Sequence, residues 1–125
     1  MSSFTSPLDV RVLQGEEAGR GTASLLAPFT YWTEIVGYRW DIIVPVGFET
    51  DFASIPRLFW TIVPPHGRHS KAAVVHDYLC RYKLCDSKTA HRIFLEAMEV
   101  LDVPKWRRYL MYWAVALFGP RFEGP

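Results

Sequence analysis

Residues 70–101 read SKAAVVHDYLCRYKLCDSKTAHRIFLEAMEVL, and this stretch decides the fold. Ser70 stands where a helix N-cap belongs, and Ala72, Val75, Leu79 and Tyr82 follow at i, i+3, i+7 and i+10, forming one apolar stripe. Lys83-Leu84-Cys85-Asp86 is a short connection. Asp86 or Ser87 then caps a second helix that carries Ala90, Phe94, Ala97 and Leu101 on one face. Helices joined by so few residues pack as antiparallel neighbours. His76 lies about six residues before the turn and His91 about four after it, so at ~1.5 Å rise per residue they sit within roughly a helical turn of the same level. Both flank the apolar stripes of their helices, and the two imidazoles are expected to face a common cleft near Asp51.

Upstream, Gly47 and Glu49-Thr50-Asp51 make a polar loop before Ser54-Ile55-Pro56. Ser54 is suited to cap a short helix from Ile55 to about Val63, since Pro56 is tolerated in a first turn. Pro64-Pro65 stops that helix, and His66-Gly67-Arg68-His69 reads as a turn. Further back, Val10, Val12 and Leu13 suggest a short strand. Phe29–Thr33 and Tyr38–Val44 are aromatic and β-branched runs interrupted at Gly37, the pattern of a hairpin or small antiparallel sheet. Pro45 ends strand pairing because it has no N–H to give. Downstream, Asp102-Val103-Pro104 starts a last helix, KWRRYLMYWAVALFG, that Gly119-Pro120 stops. Apart from its basic start it is apolar nearly all round, and it should pack in the core or against a partner.

The chain has 125 residues, 50% hydrophobic and 22% charged, enough for one core and too few for two ordinary domains. A single domain over 1–125 is therefore expected, mainly β in 1–46 and mainly α in 54–119. Fourteen basic and thirteen acidic residues leave a net charge of +1, which gives no global field toward nucleic acid or an acidic membrane. The basic-aromatic group Lys105, Trp106, Arg107, Arg108 and Tyr109 lacks the clustered excess of a phosphate-tracking surface, so no nucleic-acid partner is expected. The two cysteines, Cys80 and Cys85, are too few for a disulfide scaffold and read as free thiols of a reducing compartment. MSSFTSPLDV lacks the basic start and apolar run of a signal peptide, and no segment reaches the ~20 apolar residues of a membrane span.

Four stretches carry a family resemblance: VPVGFETDFASIPRLFW at 44–60, VPPHGRHSKAAVVHDYLC at 63–80, AHRIFLEAM at 90–98 and WRRYLMYWAVALFGP at 106–120. In order and spacing they resemble the small phage and prophage proteins grouped as the domain of unknown function 1353 family, over about Trp40 to Gly119. The resemblance implies a phage setting and no particular reaction. Where relatives carry Asp before the Arg-Ile-Phe run this chain has His91, and where they often have Tyr it has Cys80. An Asp-to-His change keeps a potential metal ligand but puts a carboxylate role in doubt.

His76 is the first candidate for chemistry, because an imidazole titrates near neutral pH and serves as a general base. Asp77 follows it about 100° round the helix and is better placed to pair with Arg81 at i+4. Asp51, arriving from the loop, is the better partner for the ring. The expected catalytic set is His76, Asp77 and Asp51, and the expected metal set is His76, His91 and Asp51, with zinc or calcium as the divalent ion. Calcium enters by similarity to calcium-dependent phospholipases, in which a helical His activates water and the adjacent Asp binds the ion; this chain lacks their glycine-rich calcium loop and cysteine framework. Against these readings, His76 can simply donate to a loop carbonyl, and Asp51 can accept backbone N–H bonds in a capping loop.

These readings predict an α+β protein: a small N-terminal antiparallel sheet, then three to four helices with an antiparallel pair at the centre. The expected function is that of a phage-encoded accessory or virion-associated protein with a His-centred, metal-assisted hydrolytic site. The competing expectation is a non-catalytic structural or interaction protein of phage tail or particle assembly. Its partners would be other phage structural proteins or further copies of itself. Its location would be the host cytoplasm during synthesis, with incorporation into the virion.

Overall fold

A computed structural model describes residues 3–4, 10–13, 22–50, 70–118 and 121–123 of the chain. Strands come first. In order they are β1 (Ser3–Phe4), β2 (Val10–Leu13), β3 (Thr22–Leu25), β4 (Phe29–Thr33), β5 (Trp40–Val44) and β6 (Glu49–Thr50). They form two antiparallel three-stranded sheets, β1-β4-β5 and β2-β3-β6. In the β4–β5 ladder Phe29 faces Val44 and Tyr31 faces Ile42. Phe29, Tyr31, Thr33, Ile42 and Val44 are all buried, as the period of two in a strand requires when one face is covered. The strands at 10–13, 29–33 and 40–44 follow the expected runs, and β5 stops before Pro45. β3 was not expected: Thr-Ala-Ser-Leu has little strand propensity, and its pairing with β2 and β6 decides the matter.

Gly47 joins the two sheets. It adopts φ +87°, a left-handed conformation that costs a glycine little, and its N–H donates to the Leu25 carbonyl at 2.8 Å. The Leu25 N–H donates in turn to the Phe48 carbonyl, so the turn after β5 is tied to the end of β3.

Among the described residues three helices follow: α1 (Ser70–Tyr82), α2 (Ser87–Val100) and α3 (Lys105–Phe118). Asp86 caps α2, accepting from the Thr89 N–H and Thr89 hydroxyl. α1 and α2 end alike. Lys83 (φ 51°) and Asp102 (φ 59°) take left-handed conformations, and the next residues bond back, Leu84 N–H to the Leu79 carbonyl and Val103 N–H to the Met98 carbonyl. The sharp reversal at Lys83 makes α1 and α2 the central helix pair, with α3 against α2. The expected helix over 55–63 and its Ser54 cap lie outside the described residues.

The core combines the inner face of β4–β5 with Val75 and Leu79 of α1, Ile93, Phe94, Ala97 and Met98 of α2, and Met111 and Val115 of α3. α1 is more deeply set than a single stripe predicts: Ala72 to His76 are all buried, while Tyr82 at the end of the stripe is exposed. α3 buries Met111, Ala114 and Val115 and leaves Trp106, Tyr109, Trp113 and Leu117 exposed. Its apolar circumference is thus only partly used. Among the described residues no helix is long and apolar enough to cross a membrane.

Candidate functional site

His76 and His91 meet across the α1–α2 seam. His76 Nε2 lies 2.9 Å from His91 Nδ1, with the ring planes 35° apart. Both are buried, at 2% and 5% exposure, and Phe94 stacks 4.7 Å from the His76 ring on the α2 side. One proton must lie between the two nitrogens, since two lone pairs repel and two N–H groups clash. The pair therefore has two arrangements, with either ring as donor. The two rings cannot both be charged on the facing nitrogens.

Burial, reinforced by the neighbouring His91, pulls His76 down to about 3. Burial also lowers His91, with Asp86 acting in the opposite direction. At neutral pH both rings are uncharged. Cys80, one turn after His76, places its Sγ 3.5 Å from His76 Nε2 and 3.9 Å from Nδ1. Burial, with Asp77 and Cys85 nearby, pushes the Cys80 thiol up to about 12, and burial with Asp86 pushes Cys85 up to about 11. Both are free protonated thiols rather than nucleophiles.

His91 is also a wall of a pocket. A space of about 780 Å³ opens between the start of α2, the end of α3 and the segment 121–123. That segment is held by two reciprocal bonds: the Ser87 N–H donates to the Phe122 carbonyl at 2.9 Å, and the Phe122 N–H donates to Ser87 Oγ at 3.2 Å. Lys88, Arg92, Tyr112 and Arg121 share the lining with His91. Among the described residues His91 is hydrogen-bonded only through Nδ1, which leaves Nε2 for whatever enters the pocket.

Of the residues expected to form the site, the fold brings His76 and His91 together. Asp77 turns to Arg81 instead, 3.8 Å away at i+4, and Arg81 stacks over Phe48. Asp51 lies outside the described residues. Among the described residues no three His, Cys, Asp or Glu side chains are placed to hold a metal ion. The two imidazoles would suit zinc better than calcium, which takes oxygen ligands.

Sequence reasoning missed two features. One is the pocket, which depends on residues 121–123 folding back over Ser87. The other is Glu96, whose Oε1 accepts from the Tyr31 hydroxyl at 2.6 Å and the Thr33 hydroxyl at 2.7 Å, fastening α2 to β4. Glu96 carried no signal, because its partners lie 65 and 63 residues away.

Two known proteins match part of the chain. It is 44% identical over 86 residues to "Uncharacterized protein y4jT" of Sinorhizobium fredii (strain NBRC 101917 / NGR234), covering 67% of this chain and 25% of that protein. It is 37% identical over 76 residues to "Uncharacterized protein y4iH" of the same organism, covering 59% of this chain and 32% of that protein. The chain thus spans a third or less of either relative. No solved structure matches it. The matching family model covers residues 23–115, and the chain belongs to that family, described as "Protein of unknown function (DUF1353)".

Proposed function

We propose that this is a phage-encoded accessory or virion-associated protein with a hydrolytic site centred on the histidine pair. His91 is the residue that meets substrate, and His76 positions it. The observation that carries this reading is the division of labour within one ring: His91 Nδ1 is held by a buried neutral partner, while Nε2 has no partner among the described residues and the ring lines a pocket. A base so arranged is fixed in direction, and one of the two arrangements of the pair leaves its Nε2 unprotonated. With the shared proton on His91 Nδ1, Nε2 offers a lone pair to a water. The water gives Nε2 a proton as its oxygen bonds to the substrate's electrophilic atom. The bond to the leaving group then breaks, and the proton passes from Nε2 to the departing atom. Burial keeps His91 uncharged at neutral pH, so the lone pair is available.

In a zinc-assisted form of the same site, His76, His91 and Asp51 would hold the ion, which would supply an activated water. Metal content of protein purified without a histidine tag separates the two forms.

A second reading is favoured by the outer face of α3, where Trp106, Trp113 and Leu117 are each more than half exposed. It makes the protein a non-catalytic interaction module for other phage structural proteins. One experiment decides between the readings. A phage lacking the gene is complemented with His91→Gln, whose folding is checked by thermal unfolding. The hydrolytic reading predicts a folded variant that fails to complement. A folded His91→Gln protein that complements fully rejects it in favour of the interaction reading.

A further inference from the structure

We infer that the pocket beside His91 takes a phosphate ester, a small molecule that presents a phosphoryl dianion to the rim and a planar or apolar group to the walls. The inference deepens the reading of His91 as the residue that meets the ligand. Three cations, Lys88, Arg92 and Arg121, stand on the rim, and among the described residues none of them is in an ion pair. All three are exposed, so their charge is available without rearrangement of the fold.

Two carboxylates also line the pocket, Asp86 and Glu123. Asp86 is committed to the cap of α2, with one oxygen on the Thr89 hydroxyl and the other on the Thr89 N–H. These bonds hold its carboxyl below the usual carboxylate range. They keep it ionised, so with Glu123 it offsets two of the three positive charges and leaves a net excess of one, with the two guanidinium groups on Arg92 and Arg121.

Such an excess would be unremarked on an open surface. Here it surrounds a nine-tenths buried imidazole whose free nitrogen has no partner among the described residues. In the other arrangement of the pair, with the shared proton on His76, His91 Nε2 carries an N–H for which a phosphoryl oxygen is a strong acceptor, and guanidinium groups match the remaining oxygens in pairs. A carboxylate offers two oxygens, where a phosphoryl group offers three to the two guanidinium groups and the imidazole. Arg121 is not a loose tail residue, because the bonds between Ser87 and Phe122 hold the adjacent backbone against α2. Tyr112 and Phe122 supply aromatic wall, and a volume of about 780 Å³ falls in the range of small-molecule sites.

The test is calorimetric titration of the full chain with phenyl phosphate at low ionic strength, with benzoate as the carboxylate comparison. Wild type should bind phenyl phosphate saturably and more tightly than benzoate. Arg92→Ala/Arg121→Ala should weaken binding by about tenfold or more, the loss of two charge-assisted contacts, without lowering the melting temperature. Lys83→Ala/Lys105→Ala, which removes the same charge elsewhere, should leave it unchanged. No saturable binding, equal affinity for benzoate, or an equal loss in the Lys83/Lys105 variant would each overturn the inference. The two readings fail separately: phosphate binding by a His91→Gln protein that still complements keeps the ligand and removes the base. Absence of binding alongside failed complementation keeps the base and removes the ligand.

Discussion

A histidine held uncharged inside a protein makes stability depend on pH. His76 has a folded value of about 3 against 6.5 for an unperturbed ring, so below pH 6.5 the unfolded chain takes up a proton that the folded chain refuses. The folded state is thus favoured fully above about 6.5 and loses ground as pH falls, by about 1.4 kcal/mol per pH unit for each such ring, until the folded value is reached. His91 is shifted in the same direction and adds to the slope. Urea unfolding at pH 7.0 and 5.5 should therefore give a clearly lower midpoint at the acid pH. The difference should shrink in His76→Gln, which has no ring to protonate. An equal acid loss in wild type and variant would assign the effect to other groups. The sequence placed the two rings at one level through helical rise and the four-residue turn. It could not place nitrogen against nitrogen, because that contact depends on ring rotation and on Phe94 closing one side.

Between elements, Glu96 is the polar fastener of α2 to β4. Tyr31 and Thr33 are fully buried, and both hydroxyls donate to the same carboxylate oxygen. Glu96→Ala removes a charged acceptor from two buried donors and should cost about 2–3 kcal/mol. Tyr31→Phe should cost less, because the acceptor keeps Thr33. Chemical unfolding of the two variants and of their combination checks this, and additive losses would show that the two residues do not share one interaction. The helix pair itself was legible, from apolar spacing on either side of Lys83–Asp86. The left-handed ends at Lys83 and Asp102 were not, since neither position holds the glycine that usually announces such an end. β3 was hidden for a related reason: its neighbours, rather than its residues, make it a strand.

At the scale of the molecule, two surfaces of the described residues stand apart from an ordinary solvated exterior. One is the cationic rim beside His91, and the other is the exposed aromatic face of α3. The last helix was expected to pack in the core or against a partner, and α3 divides its apolar run between core and exterior: Met111 and Val115 are inside while Trp113 is out. The pocket was illegible because it needs residues 121–123 to return to the start of α2. In the sequence these residues only follow a helix stop. Both histidines of the pair lie within residues 23–115, the region that the family model matches. The central claim is that His76 is a neutral, buried positioning partner and that the free nitrogen of His91 faces the pocket. Its most direct test is a pH titration of the ring nitrogens by ¹⁵N nuclear magnetic resonance on the folded protein, with His76→Gln and His91→Gln for assignment. The account predicts that His76 stays neutral throughout the folded range, that His91 titrates below 6.5, and that phenyl phosphate shifts the ring nitrogens of His91 while His76 remains neutral. A His76 ring that protonates freely near 6.5 would contradict it.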